Sequence, residues 1–305
     1  MSTVTRPPVV DYLCNSFLPE RAADWDRIVA AQGVPLKVRR DPTDSFAPPD
    51  ELVARMDELG IATLIVVTGD PHASLVMPHY TEIIARWEET ENLAATHPGR
   101  FVGLWAIDLD QGMAGVRRAA QALDAPWIVG LWNHVHSFDR PFDHADLYPF
   151  YALASERDVP VVMQAGTSGG LAPSACGQPI GIDRPALYFP DTTFVLSHTG
   201  WPWVTEAIAM ALKHPNVYLG TAAYPPRHWN DELVTFIRRP GRHKVLFGTN
   251  FPTVGHRHAL TQLPELNLGT DIEQLLLSDN ARRVFRRLPP PPASGPAEGQ
   301  GQTDD

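Results

Sequence analysis

From residue 9 onward the chain repeats one unit: a short apolar run, a polar or glycine-bearing junction, then a stretch whose apolar residues recur at helical spacing. The apolar runs fall at residues 9–15, 62–68, 101–107, 127–132, 160–165, 194–196, 216–221 and 244–252. Helical patterns follow at 52–59, 80–95, 114–123, 147–157 and 204–212, and two more, at 270–277 and 279–286, close the fold. Pro49 with Asp50 and Glu51 reads as a helix start, and Gly60 as its end. Eight strand patterns, nearly all followed by a helix pattern, predict an α/β (β/α)8 barrel over residues 1–288 rather than a doubly wound sheet. Residues 289–305 begin with four prolines and continue in Gly, Gln and Asp, which predicts a disordered tail. The polar segment 16–48 is too long for an ordinary connection and reads as a lid or an interface element.

Composition narrows the partners. The formal charge is −10, from 25 basic and 35 acidic residues, with no dense basic cluster, so no nucleic-acid or phospholipid surface is expected. No apolar run is long enough to span a membrane, and the first ten residues lack the apolar core of a signal peptide. The two cysteines, Cys14 and Cys176, make no disulfide framework. These features predict a cytoplasmic protein with small-molecule or protein partners.

The stretch from Thr193 to Val204 delivers His198 from the end of a buried strand into the start of a helix. That is where parallel barrels build their sites; the alternative is a structural histidine satisfied by hydrogen bonds. His134 and His136 follow the fourth strand, and if the strand continues they face one side, as a His-x-His ligand pair would. With His198 they are candidates for one zinc; otherwise they bond to Asp139, Asp143 or water. Asp70 and His72 follow the second strand in a similar position, and Asp70, His134 and His198 are the catalytic candidates. His144, His228, His256 and His258 read as surface residues, and alternation turns Cys14 away from the site. Residues 166–170, Gly-Thr-Ser-Gly-Gly, hint only weakly at an anion-binding loop. Trp105, Trp132, Trp201 and Trp203 read as core or rim.

Four segments carry a resemblance: Phe-Pro-Asp-Thr-Thr-Phe-Val-Leu-Ser-His-Thr-Gly from 189, Pro-Asn-Val-Tyr-Leu from 215, Val-Leu-Phe-Gly-Thr-Asn-Phe-Pro from 245 and Asp-Asn-Ala-Arg-Arg-Val-Phe from 279. In this order and spacing the chain, from about Val9 to Phe285, resembles the amidohydrolase-related branch of the amidohydrolase superfamily, which includes aminocarboxymuconate-semialdehyde decarboxylase. The resemblance implies one or two divalent metals held by a His-x-His on the first strand, histidines ending the fifth and sixth, and an aspartate ending the eighth. Those positions carry Leu13 and Asn15 after the matching Asp11, then Gln164, His198 and Asn250. Four of the five are neutral side chains of low metal affinity, and an amide at 250 cannot carry a proton as the aspartate does. The family's two-metal site is therefore expected to be absent, leaving Asn15, Gln164, His198 and Asn250 as a substrate pocket, with at most one zinc on His198, His134 and His136.

Three functions fit. The chain is a supporting subunit for a metal-competent paralogue, a di-iron hydroxylase, a hydrolase or a decarboxylase acting on a small carboxylated molecule. Or it is an enzyme itself, using a relocated zinc or no metal. Or it binds a small ligand without turnover. A homo-oligomer is compatible with each. On the first reading segment 16–48, with Trp25 and Phe46, and the loops carrying Trp201, Trp203 and Trp229 contribute to a subunit interface.

Overall fold

The structure is a computed structural model that describes residues 7–32, 41, 43–70 and 83–290. Eight parallel strands follow one another around the sheet: β1 Val9–Cys14, β2 Ile61–Gly69, β3 Phe101–Ala106, β4 Ile128–Asn133, β5 Val161–Gln164, β6 Phe194–Ser197, β7 Val217–Gly220 and β8 Val245–Leu246. A two-residue strand, Ala85–Arg86, pairs with the end of β2 outside this path. The strands are short and apolar because both faces are covered, the pattern of a parallel sheet inside a helical layer. Val10, Ile65, Val102, Val162, Val195 and Leu246 fill the barrel interior together with Ala281 and Val284 of the last helix and Phe285 just after it. Leu64, Phe101, Leu131, Met163, Phe194, Leu196 and Val245 form the outer core that packs against the helices.

The helix Pro49–Leu59 begins with proline in its first turn and two acids beside it, and ends on Gly60 at φ 72°, which only glycine adopts without strain. The helical pattern at 80–95 is realised as Trp87–Thr96; residues 80–82 lie outside the described set, and Ala85–Arg86 is strand. Helices absent from the sequence reading cover Asp183–Tyr188, Asp231–Arg238 and His256–Gln262. The segment after β1 holds the helix Ala22–Gln32, and the tail from residue 291 lies outside the described residues. Among the described residues no helix is long and apolar enough to cross a membrane.

β8 contributes only two ladder residues, so the barrel is closed by the chain beyond it. Tyr12 N donates to Phe247 O at 3.2 Å, Asn250 N to Leu13 O at 2.9 Å and Asn15 N to Phe251 O at 2.7 Å. Asp11, fully buried, fastens this seam: its carboxylate accepts from Leu13 N and Thr249 N at 3.1 Å each, from the Thr249 hydroxyl, and from His256 Nε2 at 3.1 Å. His256 is thus a core residue and not a surface one, because its imidazole partners the buried carboxylate and stacks on Phe251 with ring centroids 4.2 Å apart. The register of β1 against β2 shifts between Asp11 and Cys14. That bulge puts both Tyr12 and Leu13 in the inner cluster while Cys14 joins the outer one, so the thiol does face away from the barrel interior.

Room for the Tyr12 ring is made by glycine. A Cβ on Gly220 would lie 2.1 Å from Tyr12 Oη, and one on Gly248 would lie 2.4 Å from the ring. Gly220→Ala is therefore expected to lower unfolding free energy by about 3 kcal/mol through overpacking. Urea denaturation of the variant checks this, and an unchanged midpoint would contradict the packing described.

Candidate functional site

Each residue expected at the site lies at the carboxyl end of its strand. Asn15 follows β1, Gln164 ends β5, His198 follows β6 and Asn250 follows the short β8. Asn15 Nδ2 donates to Asn250 Oδ1 at 2.7 Å, joining two amides across the closing seam. Asn250 itself sits at φ 60°, a left-handed conformation that asparagine tolerates better than most residues. Leu13, fully buried, belongs to the apolar inner cluster.

The histidines are arranged differently from a His-x-His pair on a strand. β4 stops at Asn133, and residues Val135–Phe138 form a helical turn, so strand alternation does not apply to His134 and His136. Their rings still approach to 5.4 Å between centroids. His134 Nδ1 bonds the Ser137 hydroxyl at 2.6 Å and its ring also meets the Gln164 amide. His136 Nε2 lies 3.0 Å from Gly166 O, which must accept, so this nitrogen carries a proton. The partners are therefore Ser137, Gln164 and Gly166; Asp139 acts on His136 only through its charge.

His198 and Thr199 both have positive φ, 63° and 56°, where the chain turns sharply out of β6. The His198 ring stacks on Trp132 with centroids 6.3 Å apart. Its Nδ1 is 2.8 Å from Ser197 Oγ, which in turn is 2.6 Å from Tyr12 Oη. Neither Tyr12 nor Ser197 stood out in the sequence, because an apolar strand position and a serine before a histidine carry no pattern of their own.

Beside these residues, over the ends of β2, β3 and β4, a cleft of about 580 Å³ is lined by Asp70, Ile84, Trp105, Ile107, Arg118, Trp132, His134 and Phe138, among others. Asp70 and Arg118 face each other there as an ion pair at 2.8 Å. Two of the catalytic candidates, Asp70 and His134, line this cleft, while Asn15, Gln164, His198 and Asn250 do not. Trp132 connects the two regions, lining the cleft and stacking on His198. His72 lies outside the described residues.

Among the described residues, the group of three His, Cys, Asp or Glu side chains whose ligand atoms lie within 4.8 Å of one another is Asp11, Cys14 and His256. His134, His136 and His198 do not form such a group. Burial, with Asp11 adjacent, pushes the Cys14 thiol well above its ordinary range.

Electrically the site is neutral at its centre. Burial, helped by His136, pushes His198 down to about 3. Burial, then His136 and His198, hold His134 well below the ordinary imidazole value, and burial lowers His136 as well.

A parallel eight-stranded barrel whose strand ends gather amides, imidazoles and indoles at one mouth defines a site-bearing (β/α)8 protein. Within that class, the family model described as Amidohydrolase matches residues 10–287, and the chain belongs to that family. Among solved structures it is similar to an uncharacterized TIM-barrel protein of Bordetella bronchiseptica, at 22% identity over 92% of this chain and 99% of that one, with a TM-score of 0.69. It is also similar to 2,6-dihydroxybenzoate decarboxylase complexed with 2,6-dihydroxybenzoate, at 17% identity over 92% and 99% of the two chains, with a TM-score of 0.67. A third is the dihydroxybenzoic acid decarboxylase of Polaromonas sp. JS666 with bound manganese and the inhibitor 2-nitroresorcinol, at 18% identity over 92% and 97%, with a TM-score of 0.64. No curated protein matches the chain.

Because the folded pKa of His198 lies below the unfolded value near 6.5, the unfolded chain binds its proton first on acidification. Its contribution is complete above about pH 6.5 and is lost as pH falls toward about 3. His198→Gln is expected to remove about 1.4 kcal/mol per pH unit from the slope of stability in that window. Denaturation at a series of pH values measures it, and an unaltered slope would contradict the burial described.

Proposed function

We propose that this chain is an amidohydrolase-family barrel without the family's metal centre, serving as the supporting subunit of a metal-competent paralogue that acts on a small carboxylated molecule. The observation that carries the reading is the amide pair Asn15–Asn250, closed at 2.7 Å at the mouth of the barrel. A divalent ion there would need anionic or imidazole donors. Leu13 offers none, Asn15 and Asn250 offer neutral amides joined by one hydrogen bond, and Gln164 is engaged with His134, a donor set that does not suit the family's two-metal centre. The manganese reported for the Polaromonas decarboxylase belongs to that protein.

The partner half of the reading rests on surface chemistry. Leu171, Ile180, Leu187, Tyr188, Trp201 and Leu212 are large apolar side chains left exposed. They come from elements that touch: Thr167 N donates to Trp201 O, Ile180 N to Glu206 Oε1, and Lys213 pairs with Asp183. Large apolar side chains left exposed are what a subunit interface buries. The basis of the interface differs from the sequence expectation in one respect. Trp25 and Trp229 are buried, their indole N–H groups donating to Ser16 O and Tyr224 O, so they serve the barrel and not its surface.

A second reading, a small-ligand site in this chain's own right, is favoured by the cleft over β2 to β4, whose indole and aliphatic walls suit a flat molecule. A relocated zinc on His134, His136 and His198 has less support, since their nitrogens do not converge.

Expression alone and with a paralogue carrying an intact His-x-His tests the proposal. The expected outcome is one co-eluting complex whose metal content tracks the paralogue, with the isolated chain holding less than one metal ion. A monomer that ignores the paralogue and binds stoichiometric metal by itself would overturn it.

A further inference from the structure

Three groups lie in line beneath the barrel mouth: the Tyr12 phenol, the Ser197 hydroxyl and the His198 imidazole, at 2.6 and 2.8 Å. All three residues are buried, Tyr12 and Ser197 completely. The direction of the hydrogen bonds follows from the donors at one end. Ala222 N–H donates to Tyr12 Oη at 3.4 Å, and the His198 backbone N–H adds a weaker interaction of the same sense. A peptide N–H can only donate, so the phenol oxygen accepts from the backbone and its single proton is left for Ser197 Oγ.

Ser197 then accepts from Tyr12, and its own proton has one remaining partner among the described residues, His198 Nδ1. The reverse arrangement, with Nδ1–H donating, would leave a hydroxyl proton of Ser197 or of Tyr12 buried without an acceptor. An unsatisfied buried donor costs about 1–3 kcal/mol. Nδ1 therefore carries the lone pair and Nε2 the proton. Nε2 makes no hydrogen bond to the described residues and is not among the fully enclosed polar atoms without partners.

We infer that Tyr12 and Ser197 are positioning residues that lock His198 in its Nε2–H form, so that this imidazole is a hydrogen-bond donor toward the barrel mouth and not a metal ligand. A ligating imidazole presents a lone pair to the metal and gives its other N–H to an acceptor. Here the assignment is inverted: the enclosed nitrogen accepts and the outer one donates. What such a group can hold is an acceptor oxygen of a small molecule, a carbonyl or a carboxylate. Two glycines, Gly220 and Gly248, leave the space the phenol ring occupies, and Tyr12 points inward two residues after Val10.

The inference concerns the same site as the proposed function but does not rest on it, because the tautomer is a property of the isolated chain and needs no partner. Long-range ¹H–¹⁵N correlation spectra of uniformly labelled protein, with the His198 signals assigned from the His198→Gln variant, read it directly. The expected result is a single pattern with Nε2 protonated and Nδ1 not, unmoved by equimolar Zn²⁺. Ser197→Ala removes the donor to Nδ1 and is expected to lose that single pattern, giving a mixture of tautomers. Tyr12→Phe is expected to loosen it in the same direction, and should that variant fail to fold, Ser197→Ala still decides the matter. An Nδ1-protonated ring in the unaltered protein would overturn the inference. So would a Ser197→Ala spectrum identical to that of the unaltered protein, or a displacement of the His198 signals by Zn²⁺.

Discussion

A parallel barrel must bring its last strand back to its first, and in this protein that closure hangs on one buried carboxylate. β8 is too short to form a ladder with β1, so Asp11 gathers Leu13 N, both donors of Thr249 and His256 at the seam. A buried carboxyl group without such bonds would be strongly unfavourable. Because the seam is fixed there, the two residues that follow on either side are fixed with it. Asn15 and Asn250 meet at hydrogen-bonding distance because their backbones are already tied, Asn15 N to Phe251 O and Asn250 N to Leu13 O.

The same constraint explains how the mouth of the barrel can be neutral and still ordered. An amide carries a donor and an acceptor, so Asn15 can donate to Asn250 and Asn250 to Thr253 with no net charge. The imidazoles follow this rule. His198 is held by Ser197 and Tyr12, His134 by Ser137 and Gln164, and His136 by Gly166. Each is kept uncharged by burial. Polar groups are thus retained at the position where the family resemblance places metal ligands, but their bonding is directed at one another.

Much of the fold was legible in the sequence because it rests on local periodicity. The eight apolar runs became the eight strands, and Pro49 and Gly60 bounded a helix as their backbone preferences require. The helices Asp231–Arg238 and His256–Gln262 were not read, the first lying between two proline-bearing turns and the second following an unbroken strand pattern. The site was legible where it depended on strand ends, as at Asn15, Gln164, His198 and Asn250. It was not legible where it depended on contacts between distant strands. Nothing in residues 9–14 announces that Asp11 will reach His256, or that Tyr12 will lie under Ser197 across the barrel. The pairing of His134 and His136 on one side depends on the strand continuing past Asn133, and the chain enters a helical turn there instead. Trp25 and Trp229 are buried and not at a surface; composition gives hydrophobicity without direction.

Anomalous diffraction from crystals grown with Mn²⁺ tests most directly the proposal that the barrel mouth holds no metal. The account predicts no anomalous peak among Asn15, Gln164, His198 and Asn250, with the Asn15–Asn250 hydrogen bond intact. A manganese peak within bonding distance of His198 Nε2 and Asn250 Oδ1 would contradict it.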